Sequence, residues 1–234
     1  MSKDLEFETY LNISPRKLGI YLFDIKNQKN LYKEDLVIEN PNLEIDFDAL
    51  NNFLEKNIFK IEKLIGKFIE NIFLVIDSNK ILNLDIGIKK KNYEKKIKKK
   101  YLEIILIEVK EQFKKAYQDQ IIMHMIIKNF YFDGKYMSKL NNDLECESLC
   151  LDVKFISIPN ELFLMVEKIL REYQINIIKC FDQTYLKSIF KEDNIEISEM
   201  AHKIRSGYNE NEVNLVARNH ENSGFFVKFF QLFS

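Results

Sequence analysis

The sequence predicts an α+β fold, and three observations carry that expectation. Residues 120–190 read in order as a strand (121–132), a polar turn at Asp133-Gly134, a second strand (149–158), a helix (159–173) and a short strand (175–181). Behind Asp46, the residues Leu50, Phe53, Leu54, Ile58, Ile61, Leu64, Ile65 and Phe68 recur at three- and four-residue steps, the period of a helix with one buried face. Hydrophobic residues make up 46% of the 234 positions, with 19 Phe and 11 Tyr, so a packed core can form.

Taken in order, residues 1–10 are polar and read as a frayed end. Residues 18–23 read as a strand, 26–30 as a turn, and 31–38 as an antiparallel return closed by Pro41. Asp46 suits an N-cap, because its carboxylate can accept from the exposed amides of the first turn. Residues 72–77 and 81–88 read as a second hairpin around Ser78-Asn79-Lys80. Two hairpins and a helix therefore fill the first ninety residues.

Residues 89–100 carry eight Lys against Glu94 and mark a boundary. Such a run serves either as a solvated connector or as a contact for an anionic membrane or an acidic partner. A helix over 100–118 follows, burying Leu102, Ile105, Leu106, Val109, Phe113 and Ala116. The later helix buries Leu162, Phe163, Val166, Ile169, Leu170 and Tyr173, with Pro159 at a favoured early position. Between them Leu149, Leu151, Val153 and Phe155 alternate as a half-buried strand requires. The two helices are expected to back one small sheet. Residues 184–190 read as a short helix and 191–222 as a polar tether, in which 213–217 has the pattern to pair with an edge.

The end of the chain differs from the tether. On a helix, Phe225, Phe226, Phe229, Phe230, Leu232 and Phe233 fall within one arc of roughly 160°, with Lys228 and Gln231 opposite. Gly224 separates this segment from what precedes it. Aromatic-rich amphipathic ends with a Lys on the polar face lie in the membrane interface, so Phe225, Phe226, Lys228, Phe229, Phe230, Leu232 and Phe233 are the candidate membrane-binding residues. One such helix binds weakly, and several on one assembly bind firmly.

Composition narrows the function. The net charge of −1 argues against nucleic acid as the main partner, because phosphate contacts need a basic surplus. The three Cys (Cys146, Cys150, Cys180), with no signal peptide before them, indicate a reducing, cytoplasmic compartment. No apolar run is long enough to span a bilayer. No catalytic set is visible. His124, His202 and His220 are far apart in sequence, and His124 sits in an apolar strand as a satisfied core or edge histidine. Cys146 and Cys150 lack the partners of a zinc site and read as small hydrophobes. Glu145 and Glu147 share a solvent face. The six Gly are too scattered to cradle phosphate. No catalytic, cofactor or metal residue is expected, and the chain is read as a non-enzyme.

With the elements placed, the sequence resembles the bacterial cell-division protein family FtsA, actin-like membrane anchors of the tubulin-like division ring. The resemblance rests on a helix leading into Asn129-Phe130-Tyr131-Phe132-Asp133-Gly134, then Leu149-Cys150-Leu151-Asp152-Val153-Lys154, a helix, and Ile177-Ile178-Lys179-Cys180. The helix and strand over 45–76 resemble the segment before that family's insertion domain, and the Phe-rich end resembles its membrane-targeting helix. The resemblance implies an actin-like first-lobe remnant (residues 1–90, hairpins plus helix). A small insertion domain of strand–helix–strand–strand type (91–190), a linker (191–223) and a C-terminal amphipathic helix (224–234) would follow.

The chain departs from the family at the phosphate loop. Leu11-Asn12-Ile13-Ser14-Pro15 lacks the Gly that lets backbone approach phosphate, and Pro15 has no N–H to donate. Asp85-Ile86-Gly87 carries the loop's letters in the wrong place. The second nucleotide-binding lobe has no counterpart. The resemblance so implies a division scaffold, peripheral on the inner face of the cytoplasmic membrane, acting without cofactor or nucleotide hydrolysis. Its partners would be the tubulin-like FtsZ, the cytoplasmic tail of a transmembrane division protein, or other copies of itself. The alternatives are an actin-like ATPase completed by dimerisation and a type IV pilus assembly adaptor.

Overall fold

A strand that its sequence disguises lies in the middle of the larger sheet. In the computed structural model, which describes residues 7–39, 44–92, 99–137, 145–191 and 194–213, β1 (Phe7–Ile13) runs where a frayed end was expected. Glu8, Thr9 and Asn12 give it a polar look, yet all three are buried. The sheet has the order β3-β2-β1-β4-β9. β1 pairs antiparallel with β2 (Lys17–Asp24), which pairs antiparallel with β3 (Lys29–Val37). On its other side β1 pairs parallel with β4 (Asn71–Ile76), and β4 pairs parallel with β9 (Asn176–Asp182).

Helix α1 (Phe47–Ile65) makes the connection that lets β4 lie parallel to β1. Asp46 caps it as expected, its Oδ1 accepting from the Ala49 amide at 2.8 Å. Gly66 ends it in the left-handed region at φ 69°, donating to the Glu62 carbonyl at 2.8 Å. Leu50, Phe53, Leu54, Ile58 and Ile61 are buried along one face, each worth roughly 1.5–3 kcal/mol. Leu64 and Phe68, expected on that face, are exposed, because the helix ends at Gly66 before Phe68 can turn inward.

Two expected pairings are corrected. The segments around Ser78-Asn79-Lys80 do not form a hairpin: β4 joins the larger sheet, and β5 (Leu82–Lys91) joins a second sheet. Likewise α3 (Asn160–Glu172) and β9 do not back the strands before them, because β9 pairs with β4. Within α3, Leu162, Val166 and Leu170 are buried. Two short helices follow, α4 (Gln183–Ile189) and α5 (Ile197–Arg205). α5 buries Ser198, Met200, Ala201, His202 and Ile204, so this part of the expected linker is core.

The second sheet has the order β5-β8-β6-β7, all antiparallel, built from β5, β6 (Gln120–Phe132), β7 (Lys135–Met137) and β8 (Ser148–Pro159). Helix α2 (Lys99–Ala116) buries Leu102, Ile105, Leu106, Val109 and Phe113 in one cluster with Met125, Phe130, Leu151, Val153 and Phe155. Ala116, expected there, is exposed. The rings of Phe113 and Phe155 stack at 4.5 Å. Asp133 and Gly134, at φ 48° and 78°, form the two-residue turn that β6 and β7 need.

The described residues accordingly divide into one unit of 7–81 with 160–205, and another of 82–159 with 206–213. This differs from the expected breaks after residues 90 and 190. Strand β5 begins the second unit because β8 is its partner, and α3 and β9 return to the first because β4 is theirs. The candidate membrane residues 225–233 lie outside the described residues. No helix among the described residues is long and apolar enough to cross a membrane.

Candidate functional site

Three parallel strands end together in the first unit, and the carboxyl ends of such strands are where mixed α/β folds bind ligands. β1 ends at Ile13, β4 at Ile76 and β9 at Asp182. The polar groups gathered there are Asn12, Ser14, Asp77, Ser78, Asp182 and Gln183.

Most of these groups bond within the chain. Gln183 Nε2 donates to Asn12 Oδ1 at 2.9 Å, with both side chains buried. Asp182 accepts from the Tyr185 amide at 2.9 Å and so caps α4. The Asp77 amide donates to the Ile13 carbonyl at 2.9 Å. The Lys80 amide donates to Ser78 Oγ at 3.2 Å.

The β1–β2 turn is the stretch the sequence resemblance sets against a phosphate loop. Its Ser14 amide donates to the Lys17 carbonyl at 3.0 Å, and the Lys17 amide donates to Ser14 Oγ at 3.0 Å. Ser14 Oγ in turn donates to the Lys17 carbonyl at 2.9 Å. Both amides point into the hairpin, and Pro15 has none to offer. A phosphate cradle needs several convergent N–H groups facing outward. The Asp85-Ile86-Gly87 stretch lies within β5, where Asp85 pairs with Lys128 at 3.0 Å and Gly87 stands opposite Asp152.

A second buried cluster joins α5 to β1. Glu8 accepts from Tyr10 Oη at 2.6 Å, and His202 Nδ1 lies 2.7 Å from it. The carboxylate has no proton to give, so the imidazole donates. The Arg205 guanidinium completes the group on the other Glu8 oxygen and lies 4.8 Å from the Phe73 ring centre. Burial holds the His202 imidazole below its ordinary pKa, against the opposing pull of Glu199. Burial also lowers the Arg205 pKa and raises that of Tyr10.

His124 makes a parallel arrangement in the second unit. It is 1% exposed and lies 2.8 Å from Glu212. Around that contact the Val213 amide donates to Met125 and the Ile127 amide to Asn211, at 2.8 and 2.9 Å. Residues 211–213 thus pair with the edge of β6, while 214–217 of the segment expected to do so lie outside the described residues, and His124 is the satisfied histidine the sequence suggests.

Cys146 and Cys180 are buried, Cys150 is half-buried, and burial pushes all three thiols up, away from the reactive thiolate. Glu145 and Glu147 are exposed. Among the described residues no cluster of three or more His, Cys, Asp or Glu has the placement to hold a metal ion.

Sequence reasoning missed Glu8, Asn12, Gln183 and Arg205. Asn12 and Gln183 are 171 positions apart, so no local pattern joins them. A signal did exist for Arg205, which stands three after His202 within a segment whose Ile197, Ala201 and Ile204 keep helical spacing, and none for Glu8.

The sequence matches no protein-family model and no curated protein. Among solved structures, the chain is similar to a chain of the PilM-PilN type IV pilus biogenesis complex, with a TM-score of 0.51 at 12% identity. That likeness covers 80% of this chain and 51% of the other, so this chain spans about half its length. The cytoplasmic domain of EpsL, an inner membrane component of the type II secretion system of Vibrio cholerae, aligns with a TM-score of 0.38 at 9% identity over 76% of this chain and 59% of that one. A Bacteroides thetaiotaomicron protein with actin-like ATPase fold and unknown function aligns with a TM-score of 0.34 at 13% identity, over 83% and 59%. At such identities the likeness is one of fold alone.

Proposed function

We propose that the chain is a membrane-associated scaffold of actin-like fold that works by binding other proteins, without hydrolysing nucleotide. The observation that carries this is the carboxyl edge of β1, β4 and β9, where the Ser14 and Lys17 amides serve the hairpin, Gln183 bonds Asn12, and Asp182 caps α4. An ATPase completed by dimerisation would need those donors free.

In the first reading the scaffold is of the FtsA type and serves cell division. The Phe-rich end, Phe225 to Phe233, would touch the inner face of the cytoplasmic membrane. FtsZ, the tail of a transmembrane division protein, or further copies would dock on the folded units. A second reading, an adaptor of type IV pilus assembly, is favoured by the likeness to the PilM-PilN complex. The two share membrane attachment and differ in partner.

Liposome sedimentation tests the attachment. The full chain is expected to pellet with anionic vesicles, and a chain ending at Asn222 is expected to remain in the supernatant. Equal pelleting would remove the tail from the proposal. A fluorescent fusion separates the readings: a band at midcell supports division, and foci at pilus bases support the adaptor.

A further inference from the structure

The outer edge of β3 and the face of α1 beside it enclose a groove of about 290 Å³ that no other described residue fills. Its walls include Glu34 and Leu36 of β3 and Asn52, Phe53, Lys56 and Lys60 of α1. β3 is the end strand of its sheet. The Ile38 amide donates to the Arg16 carbonyl at 3.0 Å, and the register continues through Lys17 opposite Val37. Antiparallel pairs alternate between bonded and unbonded. The backbone groups of Leu36, Glu34 and Tyr32 therefore face β2, and those of Lys33, Asp35 and Val37 face outward.

The charges decide what would fit. Asp35 is already neutralised by Lys17 at 3.0 Å and accepts from Tyr21 Oη at 2.6 Å. Lys33 pairs with Glu196 at 2.6 Å. Lys56 and Lys60, one turn apart on the lip, make no ion pair among the described residues, and Glu34 is the carboxylate left beside them. Lys63 and Lys67 continue the same stripe along and past α1. The floor of Leu36, Ala49 and Phe53 is apolar.

We propose that this edge takes up an extended peptide of a partner protein as a sixth strand. The peptide would set leucine-like side chains on the apolar floor and carboxylates against Lys56 and Lys60. Pairing with Lys33, Asp35 and Val37 engages about six guest residues, roughly 20 Å of strand. Such strand addition takes affinity from main-chain bonds and specificity from alternate side chains. The inference rests on the binding-scaffold reading and supplies it with a partner chemistry and a site.

The test uses the full chain and a fluorescent peptide alternating threonine with leucine or glutamate, followed by anisotropy. A counterpart with lysine for glutamate is the control. Two variants probe the site: K56E/K60E reverses the lip, and Val37→Pro removes one outward N–H while sparing the β2 ladder. Unchanged melting curves establish that each variant is folded. The expected result is saturable binding of the glutamate peptide, slowed amide exchange at Lys33, Asp35 and Val37, and roughly tenfold weaker binding in each variant.

Absence of saturable binding, equal binding of the lysine peptide, or full affinity in both variants overturns the proposal. So does a wild-type dimer in sedimentation velocity that Val37→Pro dissolves, since a second copy would then own the edge. Vesicle pelleting is scored separately. Normal pelleting without peptide binding sinks this inference alone, and peptide binding without pelleting sinks the membrane reading alone.

Discussion

Replacing Glu8 with Gln should loosen α5 from β1. The carboxylate is 6% exposed and takes hydrogen bonds from Tyr10 at 2.6 Å and His202 at 2.7 Å, with Arg205 on its other oxygen. Glutamine keeps the shape and loses the charge, and its NH₂ must face donors. A hydrogen bond to a charged group contributes about 1.5–3 kcal/mol. The Arg205 side chain is 43% exposed, so its share is discounted for solvent screening. The expected loss is about 2–3 kcal/mol, which lowers Tm by roughly 5–10 °C for a chain of this size. Differential scanning calorimetry reads the shift, and amide exchange at Ala201 and Ile204 reports whether α5 opens first. A Tm within about 2 °C of wild type, with α5 still protected, would refute the view that this cluster anchors the helix.

Two further outcomes are expected. Burial lowers the pKa of His202, so its folded value lies below the unfolded value of about 6.5. Its contribution to stability is then complete above about pH 6.5 and is lost as pH falls through the folded pKa. Melting curves between about pH 7.5 and about pH 5.5 should show an acid-side loss that is smaller in His202→Gln, and equal slopes would contradict the assignment. Phe155→Ala removes a ring that is fully buried and stacked on Phe113, and should cost about 3–5 kcal/mol by urea denaturation. A cost below about 1 kcal/mol would mean that the second core repacks easily.

The elements were more legible in the sequence than their partners. The periods of α1, α2, α3 and the first half of β8 are strong, because each has one apolar face and one wetter face, whereas β6 was legible as an apolar run buried on both faces over 123–127. Period says nothing about which strand lies alongside. β9 follows β8 closely in the chain, yet it pairs with β4, some hundred residues earlier, through Leu74 opposite Cys180. The apparent hairpin around Asn79 failed for the same reason: two short apolar runs flank a turn but enter different sheets.

β1 and α5 were hidden by polar residues that the fold buries. Glu8 in one strand and His202 in one helix satisfy each other across 194 positions. Each looks like solvent-facing sequence until its partner is known. The strand-end region was legible only in what it lacks, the Gly of a phosphate loop. That Asn12 and Gln183 close upon each other follows from the sheet order, which the sequence did not disclose.

The proposal that this chain works by binding rests on the ends of its parallel strands, where the Ser14 and Lys17 amides and the Gln183 side chain bond within the protein. A titration of the full chain with labelled ATP and magnesium tests that most directly. The account predicts no saturable signal across the range of roughly 1 μM to 1 mM in which enzymes usually hold substrates. Saturable binding in that range, accompanied by release of phosphate, would contradict it.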